Sequence, residues 1–129
     1  FTQYFRCYGL GREYVHIMRY APENPHHLRY VVDQPPVDGE LKERLERDVL
    51  ALCGALGYDF NTVELALRGD TLYAIDFTNP APDAERSSVG DTNFDWIVEH
   101  AARFLVDRAN NPREFEITGG WPKAAGLTE

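Results

Sequence analysis

Val63-Glu64-Leu65-Ala66-Leu67-Arg68-Gly69-Asp70-Thr71-Leu72-Tyr73-Ala74-Ile75-Asp76-Phe77 decides the fold. Thr62 to Arg68 and Thr71 to Phe77 both alternate at the period of a strand, and Gly69-Asp70 between them is turn chemistry. The stretch therefore reads as a β-hairpin. Val63, Leu65 and Leu67 point to one side and Glu64 to the other; in the second strand Tyr73, Ile75 and Phe77 share a side opposite Asp76. The loop sets the register. A two-residue loop at Gly69-Asp70 places Asp76 across from Val63, on the other face. A three-residue loop that includes Thr71 places Asp76 directly across from Glu64, with Cβ atoms about 4.5–5.5 Å apart.

Outward from this hairpin, the chain divides into alternating strand pairs and helices. Thr2 to Tyr8 is rich in aromatic residues, Gly9-Leu10-Gly11-Arg12 is a turn, and Tyr14 to Tyr20 returns, so a second hairpin is expected at the start. Pro22, Pro25, Pro35 and Pro36 punctuate a loop, within which His27 to Val32 is expected to be extended. Asp38 caps a helix whose apolar stripe is Leu41, Leu45, Val49, Leu52, Cys53 and Leu56, and Gly57 stops it. Asn79-Pro80-Ala81-Pro82-Asp83 must leave the sheet, because proline cannot donate to a ladder. A second helix opens at Asp91 or Thr92, with Phe94, Ile97, Val98, Ala101 and Leu105 as its inner face, and Asn110-Asn111-Pro112 ends it. The order β-β-α-β-β-α implies an α+β two-layer sandwich, an antiparallel sheet with two helices on one face. Residues 1–110 form the domain; 111–129 are a C-terminal tail in which Phe115, Ile117 and Trp121 are candidates to dock on it.

Composition limits what the domain can do. The chain has 129 residues, 43% of them hydrophobic, enough for one domain with a core. No apolar run is long enough to span a membrane. A chain that opens on Phe1, with no Met and no signal-peptide pattern, is expected of a fragment or a processed product. The formal charge of −8 argues against a nucleic-acid partner, whose backbone demands a basic surface. It leaves room for a nucleotide site, which needs only a few local cations and a metal ion to offset carboxylates. Cys7 and Cys53 show no metal or disulfide spacing and read as reduced core thiols of a cytoplasmic protein.

Two carboxylates facing each other across a hairpin repel unless one is protonated or a divalent cation lies between them. Magnesium takes hard oxygen ligands, often one or two carboxylates with phosphate oxygens completing the shell. Glu64 and Asp76 are thus candidate metal ligands, and Asn79 adds a carbonyl oxygen past the strand end. The structural alternative is a pair of solvated acids on an outer sheet face.

The run from Val63 to Asn79-Pro80 resembles the last strand pair of the ATP-grasp superfamily, and the ordered match extends over most of the chain, as the C-terminal lobe of such a domain. The resemblance implies that Glu64, Asp76 and Asn79 hold the Mg²⁺ (or Mn²⁺) ions that bridge ATP phosphates. Here Asp76 and Asn79 are separated by two residues where the family has one, so a bulge near Thr78 is required. The resemblance also implies cations near the Pro-rich loop that meet phosphate, for which Arg19 and Arg29 are the candidates; guanidinium binds phosphate through paired hydrogen bonds. Arg6 shares a face with one of them by alternation.

What the resemblance implies is part of an ATP-dependent ligase that activates a small-molecule or peptide carboxylate as an acyl phosphate. The lysines, glycine-rich phosphate loop and adenine pocket of the other lobe are not here: Lys42 and Lys123 are the only lysines. The isolated chain is therefore not expected to be active, and its partner is the remaining ATP-grasp lobe. Apolar surface meant for that lobe could also support a homodimer. The alternative from another class is a non-catalytic structural or interaction domain, a degenerate lobe. His26-His27 would point to opposite faces of an extended chain and chelate poorly; His16 and His100, the latter beside Trp96 on a helix, read as packed histidines.

Overall fold

The computed structural model describes residues 1–112, so the expectation of a docked tail lies outside the described residues. Strand β1 runs Gln3–Leu10, β2 Tyr14–Arg19, helix α1 Gly39–Leu56, β3 Phe60–Arg68, β4 Thr71–Asn79, a single turn α2 Arg86–Val89, and α3 Asp91–Asn110. The four strands form one antiparallel sheet in the order β2-β1-β3-β4. The α+β class, the antiparallel sheet and the sequence of its main elements are those expected.

Local chemistry explains the boundaries. β1 runs on to Leu10, and the turn falls at Gly11 and Arg12, both with positive φ (65° and 60°). α1 follows Asp38 and ends on Gly57, whose φ of 80° is the left-handed conformation that glycine adopts without steric cost. The segment after β2 is not extended over 27–32: it turns through a short 3₁₀ helix at His26–Leu28 and touches β2 again where Tyr30 bridges Tyr20.

The side-chain contacts divide between the two faces of the sheet. Phe5 and Cys7 of β1 and Val63 and Leu65 of β3 pack with Leu45, Val49 and Cys53 of α1. A Cβ on Gly9 would lie 2.7 Å from Cys53 Sγ, so the absence of a side chain there lets α1 come close. Tyr8 and Leu10 instead join Met18, Tyr20, Tyr30 and Val89 against Ile97 of α3. Successive residues of a strand face opposite ways, so α1 and α3 cover opposite sides of the sheet rather than lying side by side. β1, central and apolar on both faces, is the strand that requires this. The stripe on α3 also differs from expectation: Phe94, Ile97, Ala101 and Phe104 face the core, while Val98 and Leu105 are 50% and 64% exposed. Cys7 and Cys53 are free and buried.

Candidate functional site

The hairpin of β3 and β4 builds its acidic pair by a route the loop length alone does not reveal. Arg68 pairs with Thr71, so the turn is the two-residue Gly69-Asp70. Register holds to Leu65↔Ala74 and then shifts, leaving Ile75 as an extra residue, so that Asp76 lies opposite Glu64. A second shift follows, and Thr62 pairs with Asn79. The bulge required near Thr78 is thus present. The shifts also break the expected common side of Tyr73, Ile75 and Phe77: Phe77 packs into the α1 core, while Tyr73 and Ile75 are largely exposed.

Asn61 holds the second bulge in place. It is fully buried. Its Nδ2 donates to Phe77 O (2.9 Å) and its Oδ1 accepts from Asn79 N (2.8 Å). One side-chain amide thereby replaces the ladder bonds that the bulge interrupts, and it fixes the backbone of Asn79.

Directly paired residues share a face, so Arg6, Thr62, Glu64, Asp76 and Asn79 stand together on the α3 side of the sheet, beyond the helix itself. Asp76 is exposed; Glu64 and Asn79 are half-buried. Arg6 Nε lies 3.6 Å from Glu64 Oε1. With the Asn79 amide oriented by its hydrogen-bond network, Oδ1 accepts from Arg6 Nη2 (3.1 Å) and Thr62 Oγ1 (3.2 Å), and Nδ2 donates to Ala81 O (3.3 Å). The Arg6 guanidinium is flanked by the rings of Tyr20 and Tyr30, at 5.5 and 5.9 Å from their centroids. Burial pushes the Glu64 carboxyl above its ordinary range; Arg6 pulls it back, Asp76 raises it further and Arg29 lowers it. Burial also raises the Tyr30 hydroxyl. Tyr8, in the same layer, donates its hydroxyl to Asp83 O and so ties the segment after β4 to the sheet.

The two candidate arginines part company. Arg29 acts electrostatically on Glu64 and anchors its Nε on Asn24 O (3.1 Å). Arg19 pairs with Phe5 in the register and stacks over its ring at 5.9 Å, on the α1 side of the sheet. Its donors serve Pro35 O and Gln3 Oε1 at 3.1 and 3.0 Å. It lines an open cleft of about 470 Å³ with Gln3, Tyr4, Tyr20 and Glu23, and the sheet separates it from Glu64 and Asp76. The residue that stands with them is Arg6. The signal for it was a lone cation inside Tyr4-Phe5-Arg6-Cys7-Tyr8, a strand otherwise apolar and aromatic.

As a donor set, Glu64, Asp76 and the Asn79 amide oxygen offer three hard oxygens on one face, which suits magnesium better than a softer ion. Among the described residues no group of three or more His, Cys, Asp or Glu side chains is placed to hold a metal. His26 and His27 sit exposed on the 3₁₀ turn. His16 and His100 pack on opposite faces of Trp96 with centroids at 4.6 and 4.0 Å, as packed histidines. No described helix is long and apolar enough to cross a membrane. Comparison with protein-family models, curated proteins and solved structures finds no match to this chain.

Proposed function

We propose that this chain is one lobe of an ATP-grasp ligase domain, in which Glu64, Asp76 and Asn79 are the metal ligands and Arg6 and Arg29 the cations that meet phosphate. The observation that carries the reading is the double register shift of β4, which sets Asp76 opposite Glu64 and brings Asn79 to the same face. Bulges next to active sites re-aim side chains in this way. The magnesium ions would neutralise charge developing on the ATP phosphates as a carboxylate substrate becomes an acyl phosphate. The chain's own residues orient and screen: the carboxylates and Asn79 fix position, and the guanidinium groups take phosphate oxygens. The remaining lobe brings the rest of the nucleotide site and the acceptor. A cytoplasmic location goes with this reading, since ATP is there and the two buried thiols stay reduced there.

A second reading, a structural lobe without turnover, is favoured by one observation: Arg6 already supplies a cation to Glu64 and Asn79. Manganese titrated with ADP into isotopically labelled protein separates the two. A ligase lobe shows line broadening centred on the amides of Glu64, Asp76 and Asn79, lost in Asp76→Asn. Broadening spread over the acidic surface, and indifferent to that substitution, leaves the structural reading in place.

A further inference from the structure

The face that carries Glu64 and Asp76 already holds a cation. The Arg6 guanidinium stands with the two carboxylates, its Nε 3.6 Å from Glu64 Oε1. Arg6 also occupies two of the three candidate ligands, with Nε turned toward Glu64 and Nη2 on the Asn79 oxygen. A divalent ion arriving alone would have to shed water and displace Arg6. It would then share the site with the Arg6 guanidinium, and repulsion at such distances is strong where water is partly excluded.

Two buried donors on the same side point to what is needed. Arg6 Nε, ion-paired with Glu64 at 3.6 Å, and Tyr30 Oη make no hydrogen bond among the described residues, and Tyr30 is only 8% exposed. Donors without acceptors call for an anion rich in acceptor oxygens. A polyphosphate offers Arg6 such oxygens in a geometry that suits a guanidinium fork. Its negative charge also offsets the incoming metal. When Arg6 turns to it, the Glu64 carboxylate and the Asn79 oxygen are released.

We propose that Arg6 makes metal binding at Glu64, Asp76 and Asn79 conditional on a polyphosphate: the site takes a divalent cation only as its polyphosphate complex and refuses the bare ion. Arg6 is then a specificity-determining residue, and free cellular magnesium does not lock the lobe. The inference rests on the ligase-lobe reading and sharpens it.

The test compares three titrations of the full chain, followed by amide line broadening: Mn²⁺ alone, Mn²⁺ with ADP, and Mn²⁺ alone on Arg6→Gln, which removes the charge and keeps a donor for Asn79. In the wild type, local broadening at 64, 76 and 79 is expected with Mn²⁺–ADP and not with Mn²⁺ alone. In Arg6→Gln, Mn²⁺ alone broadens the same amides at a concentration lower by about tenfold or more, as loss of one like charge from the site demands. Local broadening of the wild type by Mn²⁺ alone, at the same concentration as in Arg6→Gln, overturns the inference and leaves the metal site standing. Absence of local broadening in every titration overturns the ligase-lobe reading and the inference with it. If Arg6→Gln loses its amide dispersion, the two wild-type titrations decide: local broadening by Mn²⁺ equal with and without ADP is the overturning result.

Discussion

Asn61 is where the sequence conceals most. It sits in a strand that asks for apolar side chains, fully buried, and both ends of its amide are committed to the backbone of β4. Asn61→Ala removes the partner of the Phe77 carbonyl and of the Asn79 N–H, both half-buried, and the loss of two hydrogen bonds costs about 1–3 kcal/mol. Urea denaturation should register that loss; a shift under about 0.5 kcal/mol, the usual range of a surface substitution, would mean the bulge holds itself. The register of the acids was half-legible. The choice between facing Val63 and facing Glu64 was visible, but it was tied to loop length, and the extra residue at Ile75 gives the second pairing with the shorter loop. Nothing in strand periodicity marks a bulge clamped from the neighbouring strand by a side chain. The side of Arg19 is hidden for a related reason: alternation along β2 cannot say whether it shares a face with the acids until β1 and β3 are placed beside it.

At the scale of elements, α3 is fastened to β2 by a stack of rings. Trp96 lies between His16 and His100, Tyr8 is parallel to His16 at 6.3 Å, and Tyr14 meets His100 edge-on at 5.2 Å. Asn93 Nδ2 donates to Val89 O, which leaves its Oδ1 to accept from His16 Nε2 at 2.7 Å; the neutral ring thus carries its proton on Nε2. Burial holds His16 below its ordinary value of 6.5, the Asn93 bond raises it, and His100 lowers it further. A base depressed in the fold leaves the unfolded chain to take up the proton first. Its contribution to stability is complete above about 6.5 and is lost as pH falls toward the folded value. The urea midpoint should therefore fall between pH 7.5 and pH 5.5, and His16→Gln, which keeps a donor for Asn93, should flatten that dependence. An unchanged slope in the variant would assign the acid sensitivity elsewhere. Helix spacing gave α1 its stripe, but it misassigned two positions of α3, because Leu105 and Val98 satisfy the period nearly as well as Phe104 and only the packing chooses.

For the whole molecule, the feature hardest to read was which side of the sheet each helix covers. Two helices after two hairpins fit one layer as well as two; the deciding signal is Tyr4-Phe5 with Cys7-Tyr8, a strand that must be covered on both sides. The net charge of −8 acts at this scale too. The ion pairs on the described surface, such as Arg86 with Asp91 and Asp95 or Arg103 with Glu99, are exposed and contribute little. Self-repulsion should therefore dominate the response to salt. Raising sodium chloride from about 0.01 M to about 0.15 M, which shortens the Debye length from about 30 Å to about 8 Å, should raise the urea midpoint. A fall would show that attractive pairs outweigh the excess of acids.

The irregularity of β4 reaches beyond the two acids it aligns. β4 is one of the two outer strands of the sheet, and among the described residues no strand takes up the backbone donors and acceptors on its far side. A long, straight edge with exposed Tyr73 and Ile75 would invite another chain to add a strand and begin a fibril. Two extra residues bend and twist that edge, so an incoming strand finds no continuous row to match. The kinks that bring Glu64, Asp76 and Asn79 to one face therefore also leave that edge a poor template for amyloid-like growth, and straightening the strand would undo both at once.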